Sequence, residues 1–362
     1  AQDLVVANAG SSNAGVLLGG AGGFAGGRVL AVGSAASATF AADFNADGLT
    51  DLAVADSAAS KVYVYLAGSA GGLTPSATIS LVAGAGPGFL AAADFNGDGK
   101  LDLAITAVNF SIVAVALGNG NGTFGNPINA GTARSPRQLA IADFNGDGRP
   151  DIAVPAGLGD VVTILINAGN GLFGRVGDVT AVGGPIGVAV GDFTGDHKID
   201  LAVAFSGDAH VKLFAGTGGG TFGAPVAYAV SAASSALAAA DLDGDGDLDL
   251  VATQPSSNEA SVLLGTGTGF TAATTVATGG QPAALSVVDL DGDGHVDLVI
   301  GNAGTCDVTI LHGDGAGGFG ASTIPAGGPV GNLCVSDLDH DGHADITVAT
   351  GGGFVTTLVS PR

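Results

Sequence analysis

A nine-residue phrase recurs seven times in this chain and fixes most of what it can fold into. It reads Asp43-Phe-Asn-Ala-Asp47-Gly-Leu-Thr-Asp51, then returns over 94–102, 143–151, 192–200, 241–249, 289–297 and 337–345. Successive copies start 51, 49, 49, 49, 48 and 48 residues apart. A single period of this length marks a repeat architecture, in which each unit is a small supersecondary element that stacks on the next. The copies fill nearly all of the 362 residues, so one domain over 1–362 is expected.

The copy from Phe222 to Phe270 shows what the unit is. Pro225–Val230 alternates, and Ala236–Ala240 leads into the phrase at Asp241. Leu248–Thr253 follows, then a polar loop over Gln254–Asn258, then Ser261–Leu264 and a glycine-rich turn. Short apolar runs bounded by Gly, Pro or Asn read as antiparallel strands. Val62–Leu66, Val161–Leu165 and Val308–Leu311 take the third place in their own copies. Four strands in a period near 49 residues predict an all-β fold, a β-propeller of four-stranded antiparallel blades. Each small sheet has two apolar faces, and radial packing covers both. Gly is 65 of 362 residues and aromatics are 5%, which suits tight turns and close inner strands.

The ends decide the blade number. Asp3–Ala7 and Gly15–Leu18 match a second and a third strand, and Arg28–Val32 matches a fourth. The last copy runs through Asn332–Val335, Ile346–Ala349 and Val355–Val359, then stops. Seven blades are expected, with residues 27–33 closing the last blade as its outer strand and residues 1–26 surplus. The alternative is eight blades with incomplete terminal ones, which would leave a gap at the axis.

The phrase itself is a cation loop. Hard oxygens at alternate positions wrap an ion of calcium's size, and a glycine at position 6 permits the sharp turn. Positions 1, 3, 5 and 9 offer side chains and position 7 a backbone carbonyl. The candidate ligands are Asp43, Asn45, Asp47, Leu49 and Asp51; Asp94, Asn96, Asp98, Lys100 and Asp102; Asp143, Asn145, Asp147, Arg149 and Asp151. They continue with Asp192, Thr194, Asp196, Lys198 and Asp200; Asp241, Asp243, Asp245, Asp247 and Asp249. The last two sets are Asp289, Asp291, Asp293, His295 and Asp297; Asp337, Asp339, Asp341, His343 and Asp345. Up to seven Ca2+ ions are expected. The fourth site should be weakest, because His197 stands where the turn glycine belongs and Lys198 adds a positive charge.

Positions 1, 3, 5 and 9 of these loops hold 24 of the 33 acidic residues, so the formal charge of −23 is concentrated where divalent ions would neutralise it. With so strong a negative field and no basic patch, nucleic acid is excluded as a partner. No uninterrupted apolar run is long enough to span a bilayer. The Ala1-Gln2-Asp3 start fits a mature end left by signal cleavage, and calcium loops fill most easily outside the cytosol. A secreted or surface protein is expected.

The unit Phe-Gly … Ala-Asp-Phe-Asn-Gly-Asp-Gly … Asp-Leu-Ala-Val … Leu-Leu-Gly resembles the FG-GAP and VCBS repeats. Those repeats build integrin α-subunit propellers and many bacterial and fungal secreted proteins, a propeller lectin among them. The resemblance implies that the calcium loop joins the first and second strands, faces away from the ligand surface, and is structural. It also implies that the loop histidines point outward, so none of His197, His210, His295, His312, His340 and His343 is expected to bind zinc or catalyse.

The opposite rim would then carry recognition. Arg134 and Arg137 are its candidate anchors for an anionic or glycan partner. Cys306 and Cys334 fall at one end of adjacent blades, either as a disulfide or as two buried thiols. The sequence offers no nucleophile elbow and no acid–base pair outside the loops, so no enzyme is expected. The leading expectation is a non-catalytic binding module for a glycan or an extracellular protein. The alternatives are an extracellular assembly protein joined through unmatched terminal strands and, less favoured, a polysaccharide-degrading enzyme.

Overall fold

The computed structural model describes residues 3–7, 14–20, 23–30, 36–68, 72–326, 328–336 and 345–350. Six four-stranded antiparallel sheets stand in a ring. The fifth is typical: Ala236–Ala240, Asp249–Gln254, Glu259–Leu263 and Thr274–Ala277, each paired to the next in register. The first strands of the six sheets are Ala36–Ala42, Pro87–Ala93, Ala140–Ala142, Pro185–Gly191, Ala236–Ala240 and Pro282–Val288. Each packs beside the next around the axis.

The blade number corrects the sequence reading. The described residues build six four-stranded blades, not seven and not eight. Between the sixth and the first lies a two-stranded sheet, Val330–Ser336 paired with Asp345–Thr350. The repeat count came from the acidic hairpins, and the seventh hairpin contributes only these two strands. The segment assigned as its outer strand is placed elsewhere: Gly23–Leu30 pairs with Ala14–Gly20, its neighbour in sequence. Ala14–Gly20 in turn pairs with Asp3–Ala7, which lies beside Asp345–Thr350. Local hairpin closure needs only a short loop, whereas a strand delivered across the ring must close nearly the whole chain.

The cores lie between blades. All six second strands are buried along their whole length, because each sheet is covered on both faces. One cluster joins Val62 and Val64 of the first blade to Leu103 and Ile105 of the second. Another joins Leu201 and Phe205 of the fourth to Val162 and Ile164 of the third. The fourth strands are the most exposed.

Candidate metal centres

The residue at position 2 of each hairpin anchors it between blades. Phe44, Phe95, Phe144 and Phe193 are buried and meet an aromatic ring from the next blade's outer turn. Phe44 meets Phe124 edge-on at 5.6 Å, Phe95 meets Phe173 at 5.4 Å, and Phe144 meets Phe222 at 5.9 Å. Such pairs add about 0.5–1.5 kcal/mol beyond the area they bury. Leu242 and Leu290 are buried at the same position in the fifth and sixth copies.

The position-9 carboxylate is a latch. Asp249 is fully buried and accepts the Leu242 N–H at 2.7 Å on one oxygen and the Gly265 N–H at 2.6 Å on the other. Asp51, Asp102, Asp151, Asp200 and Asp297 bind the matching two amides in their own copies. Each therefore ties its hairpin to the end of the third strand. Burial pushes Asp51, Asp102, Asp151 and Asp249 above the usual carboxylate range. Neighbouring loop carboxylates push the same way, and the amide bonds oppose them.

The position-1 carboxylate organises the exposed turn. Asp94 accepts amides from Gly97, Asp98 and Gly99 at 2.7, 3.1 and 2.7 Å. Gathering amides this way needs left-handed backbone at positions 4 and 6, both glycine in copies two, three, five and six. Among the described copies, two lack one glycine. Ala46 holds φ +60° at position 4 of the first, and His197 holds φ +61° at position 6 of the fourth. The sequence reading placed the demand at position 6 only.

The copies differ in how their oxygens converge. In the fifth, Asp241, Asp243 and Asp249 each place a carboxylate oxygen within 4.8 Å of the other two. Asp289, Asp291 and Asp293 do so in the sixth, and Asp291, Asp297 and His312 form a second such group there. In copies two to four the basic residue at position 7 turns back onto the position-5 carboxylate. Lys100 Nζ lies 3.3 Å from Asp98, Arg149 Nη2 lies 2.5 Å from Asp147, and Lys198 Nζ lies 2.7 Å from Asp196. The Lys198 hydrogen bond holds the Asp196 carboxyl below its ordinary value. Thr194 Oγ1, at position 3 of the fourth copy, is buried without a partner. Of the seventh copy, residues 337–344 lie outside the described residues, including Asp337, Asp339, Asp341 and His343; Asp345 opens the last strand.

An FG-GAP-like repeat model matches residues 43–105, 104–154, 192–252, 241–300 and 289–348, and an FG-GAP repeat model matches 135–176. The chain belongs to the FG-GAP-like repeat family. No curated protein matches it in sequence. Among solved structures, the Agrocybe aegerita lectin that specifically recognises non-reducing terminal N-acetylglucosamine superposes with a TM-score of 0.62. That match is 21% identical and covers 90% of each chain. BBS1N, solved in complex with ARL6DN, gives a TM-score of 0.64 at 13% identity over 88% of this chain and 90% of that one. A virginiamycin B lyase from Staphylococcus aureus gives 0.57 at 13% identity, over 86% and 91%. At these identities the likeness is one of fold.

In this FG-GAP propeller the antiparallel order puts the acidic hairpins at one end of every blade and the second-to-third-strand turns at the other. Six residues of second strand separate the ends by about 20 Å. Arg134 and Arg137 stand exposed at the second end. Their segment is fixed by the Arg137 N–H on Pro155 O at 2.9 Å and the Gly157 N–H on Ser135 O at 3.2 Å. Elsewhere Lys100, Arg149, Lys198, Arg175 and Lys212 each pair with a carboxylate. Arg134, Arg137 and Lys61 pair with none among the described residues, and all three sit at the rim. The sequence reading missed Lys61, which opens a third strand directly after its rim turn. Leu158 is also exposed there, at 71%.

No disulfide joins Cys306 and Cys334. Cys306 occupies a left-handed turn position at φ +58°, with Sγ 3.8 Å from Ala303 O, while Cys334 lies within Val330–Ser336 opposite Thr347. No helix among the described residues is long and apolar enough to cross a membrane.

Proposed function

We propose that this protein is a secreted or surface binding module. In this reading its acidic hairpins hold structural Ca2+, and its opposite rim recognises an anionic glycan or an extracellular protein. One observation carries it: the rim, mixed in sign through Asp56, Asp160, Asp208, Glu259 and Asp307, keeps three cations without a carboxylate partner among the described residues, whereas the cations of the hairpins are paired. The acidic hairpins occupy one end of the blades, and the unpaired cations Lys61, Arg134 and Arg137 stand at the other. Unpaired arginines on a chain of formal charge −23 favour an acidic partner, because a guanidinium fork matches a carboxylate or sulfate bidentately. A lectin among the structural neighbours is consistent with a propeller serving recognition.

The residues present fit calcium. The donors are oxygens, and they converge without an internal cation in the fifth and sixth copies. The latch aspartates are buried beside other carboxylates, an arrangement that a bound cation would relieve. Calcium bound there would clamp the exposed turn to the buried latch and so stiffen each inter-blade seam. Copies two to four carry their own lysine or arginine on position 5 and should bind less tightly. The fourth should bind least, since Thr194 brings no charge, His197 holds a left-handed backbone without being glycine, and Lys198 pairs with Asp196.

A glycan array comparing wild type with the Arg134→Ala/Arg137→Ala double variant tests the rim. Binding to acidic glycans that is lost in the variant supports the reading; binding that is unchanged for every ligand removes it.

A further inference from the structure

The residue just before the amide that closes each latch is aliphatic in five copies: Leu66, Leu117, Ile166, Ala215 and Leu264. Four of these lie against the next blade's outer turn, at Gly122, Gly171, Gly220 and Gly317 respectively for Leu66, Leu117, Ile166 and Leu264. In the sixth copy the position is His312, whose ring reaches toward the hairpin. Its Nδ1 lies 3.6 Å from Asp291 Oδ2 and 3.9 Å from Asp297 Oδ1. That nitrogen is shielded from solvent and makes no hydrogen bond.

We propose that the sixth hairpin takes a first-row divalent transition ion of zinc's class, held by His312 Nδ1, Asp291 and Asp297. The proposal rests on reading the hairpins as metal loops and gives this one a different metal.

The separations are too long for hydrogen bonds. They are close to what a shared ion requires, since two bonds of about 2.1 Å meeting at a tetrahedral angle hold their donors about 3.4 Å apart. The donor chemistry also changes. An imidazole nitrogen suits zinc and its neighbours, whereas calcium prefers an all-oxygen shell. The supporting groups are in place. His312 Nε2 lies 3.3 Å from Ser322 Oγ, and an N–H donated there leaves the Nδ1 lone pair facing the carboxylates. Asp297 is pre-oriented by the Leu290 and Gly313 amides, both at 2.9 Å. Asp289 and Asp293 place further oxygens beside Asp291.

The test uses tag-free, chelator-stripped protein titrated calorimetrically with Zn2+ in millimolar calcium. Wild type should retain a single zinc. His312→Leu, the residue type of the sibling copies, should weaken zinc by at least about 100-fold, beyond the 10–100-fold typical of losing an outer-shell partner. It should leave the calcium-induced shift in melting temperature unchanged. Leu264→His should add a second zinc equivalent at the fifth hairpin. Equal zinc affinity in His312→Leu, or complete displacement of zinc from wild type by calcium, would overturn the proposal. Zinc held at His312 with no calcium shift in either protein would sink the calcium reading and leave this one standing.

Discussion

The latch should be separable from the metal by comparing two aspartates of one hairpin. Asp249→Ala strips the acceptors from two amides, Leu242 N–H and Gly265 N–H, held at 2.7 and 2.6 Å. A buried N–H left unpaired costs about 1–3 kcal/mol, so two cost about 2–6 kcal/mol. The loss is offset in part, because the variant also removes a fully buried carboxylate whose ionisation is disfavoured by burial. A net destabilisation of about 2–4 kcal/mol is therefore expected in EDTA, where no metal contributes. Asp245→Ala is the contrast. That side chain is exposed and accepts a single amide, from Asp247 at 2.8 Å. Its cost in EDTA should stay within about 0.5 kcal/mol, as for ordinary surface changes. In calcium 100-fold above the dissociation constant, it should forfeit up to about 2.7 kcal/mol, the mass-action worth of one filled site. Urea unfolding followed by circular dichroism, with and without calcium, reads all four values. Refutation would come from Asp249→Ala unfolding with wild type in EDTA, or from Asp245→Ala costing as much as Asp249→Ala there.

Other outcomes follow from the same geometry. His197→Gly should stabilise the metal-free protein by about 0.5–1 kcal/mol. A left-handed non-glycine residue costs about 1–2 kcal/mol, and the added freedom of the unfolded chain returns about 0.4–1 kcal/mol; Ala46→Gly should behave alike, and urea midpoints below wild type would contradict both. Gly246→Ala, at φ +92°, should lose about 1 kcal/mol in the same assay. The pH dependence has a definite sign. Asp51, Asp102, Asp151 and Asp249 hold protons more tightly folded than at their ordinary value of 3.8, so metal-free stability from them rises as pH falls through the raised folded values toward 3.8. Calcium needs these groups ionised, so its stabilising effect should shrink over that same interval. Melting curves taken from neutral pH downward should show the calcium and EDTA values converging, and a constant gap would refute the assignment.

Much of this was legible in the sequence. The phrase Asp241–Asp249 set the hairpin between first and second strands, and the short apolar runs bounded by Gly, Pro or Asn marked four antiparallel strands per repeat. The blade number was not legible, because periodicity says that Arg28–Val32 is a strand without saying which strand it joins. Local pairing with Ala14–Gly20 left the seventh hairpin with two strands in the described structure. The left-handed demand at position 4 was hidden because Ala46 meets it without glycine. The latch amides at Gly265 and its equivalents lie 16 residues past their aspartates, beyond any local motif. His312 could have been found by aligning the third strands, where it stands alone in an aliphatic column. The unpaired state of Lys61, Arg134 and Arg137 is a property of neighbours that no linear pattern records.

The direct test of the metal loops is a crystal grown in millimolar calcium and measured for anomalous scattering. The account predicts cation peaks in the hairpins at one end of the ring, strongest at the fifth and sixth and faintest at the fourth, each within about 2.3–2.6 Å of carboxylate oxygens where calcium is bound. Hairpins that keep their amide-bonded turns and show no peak in any copy would contradict it.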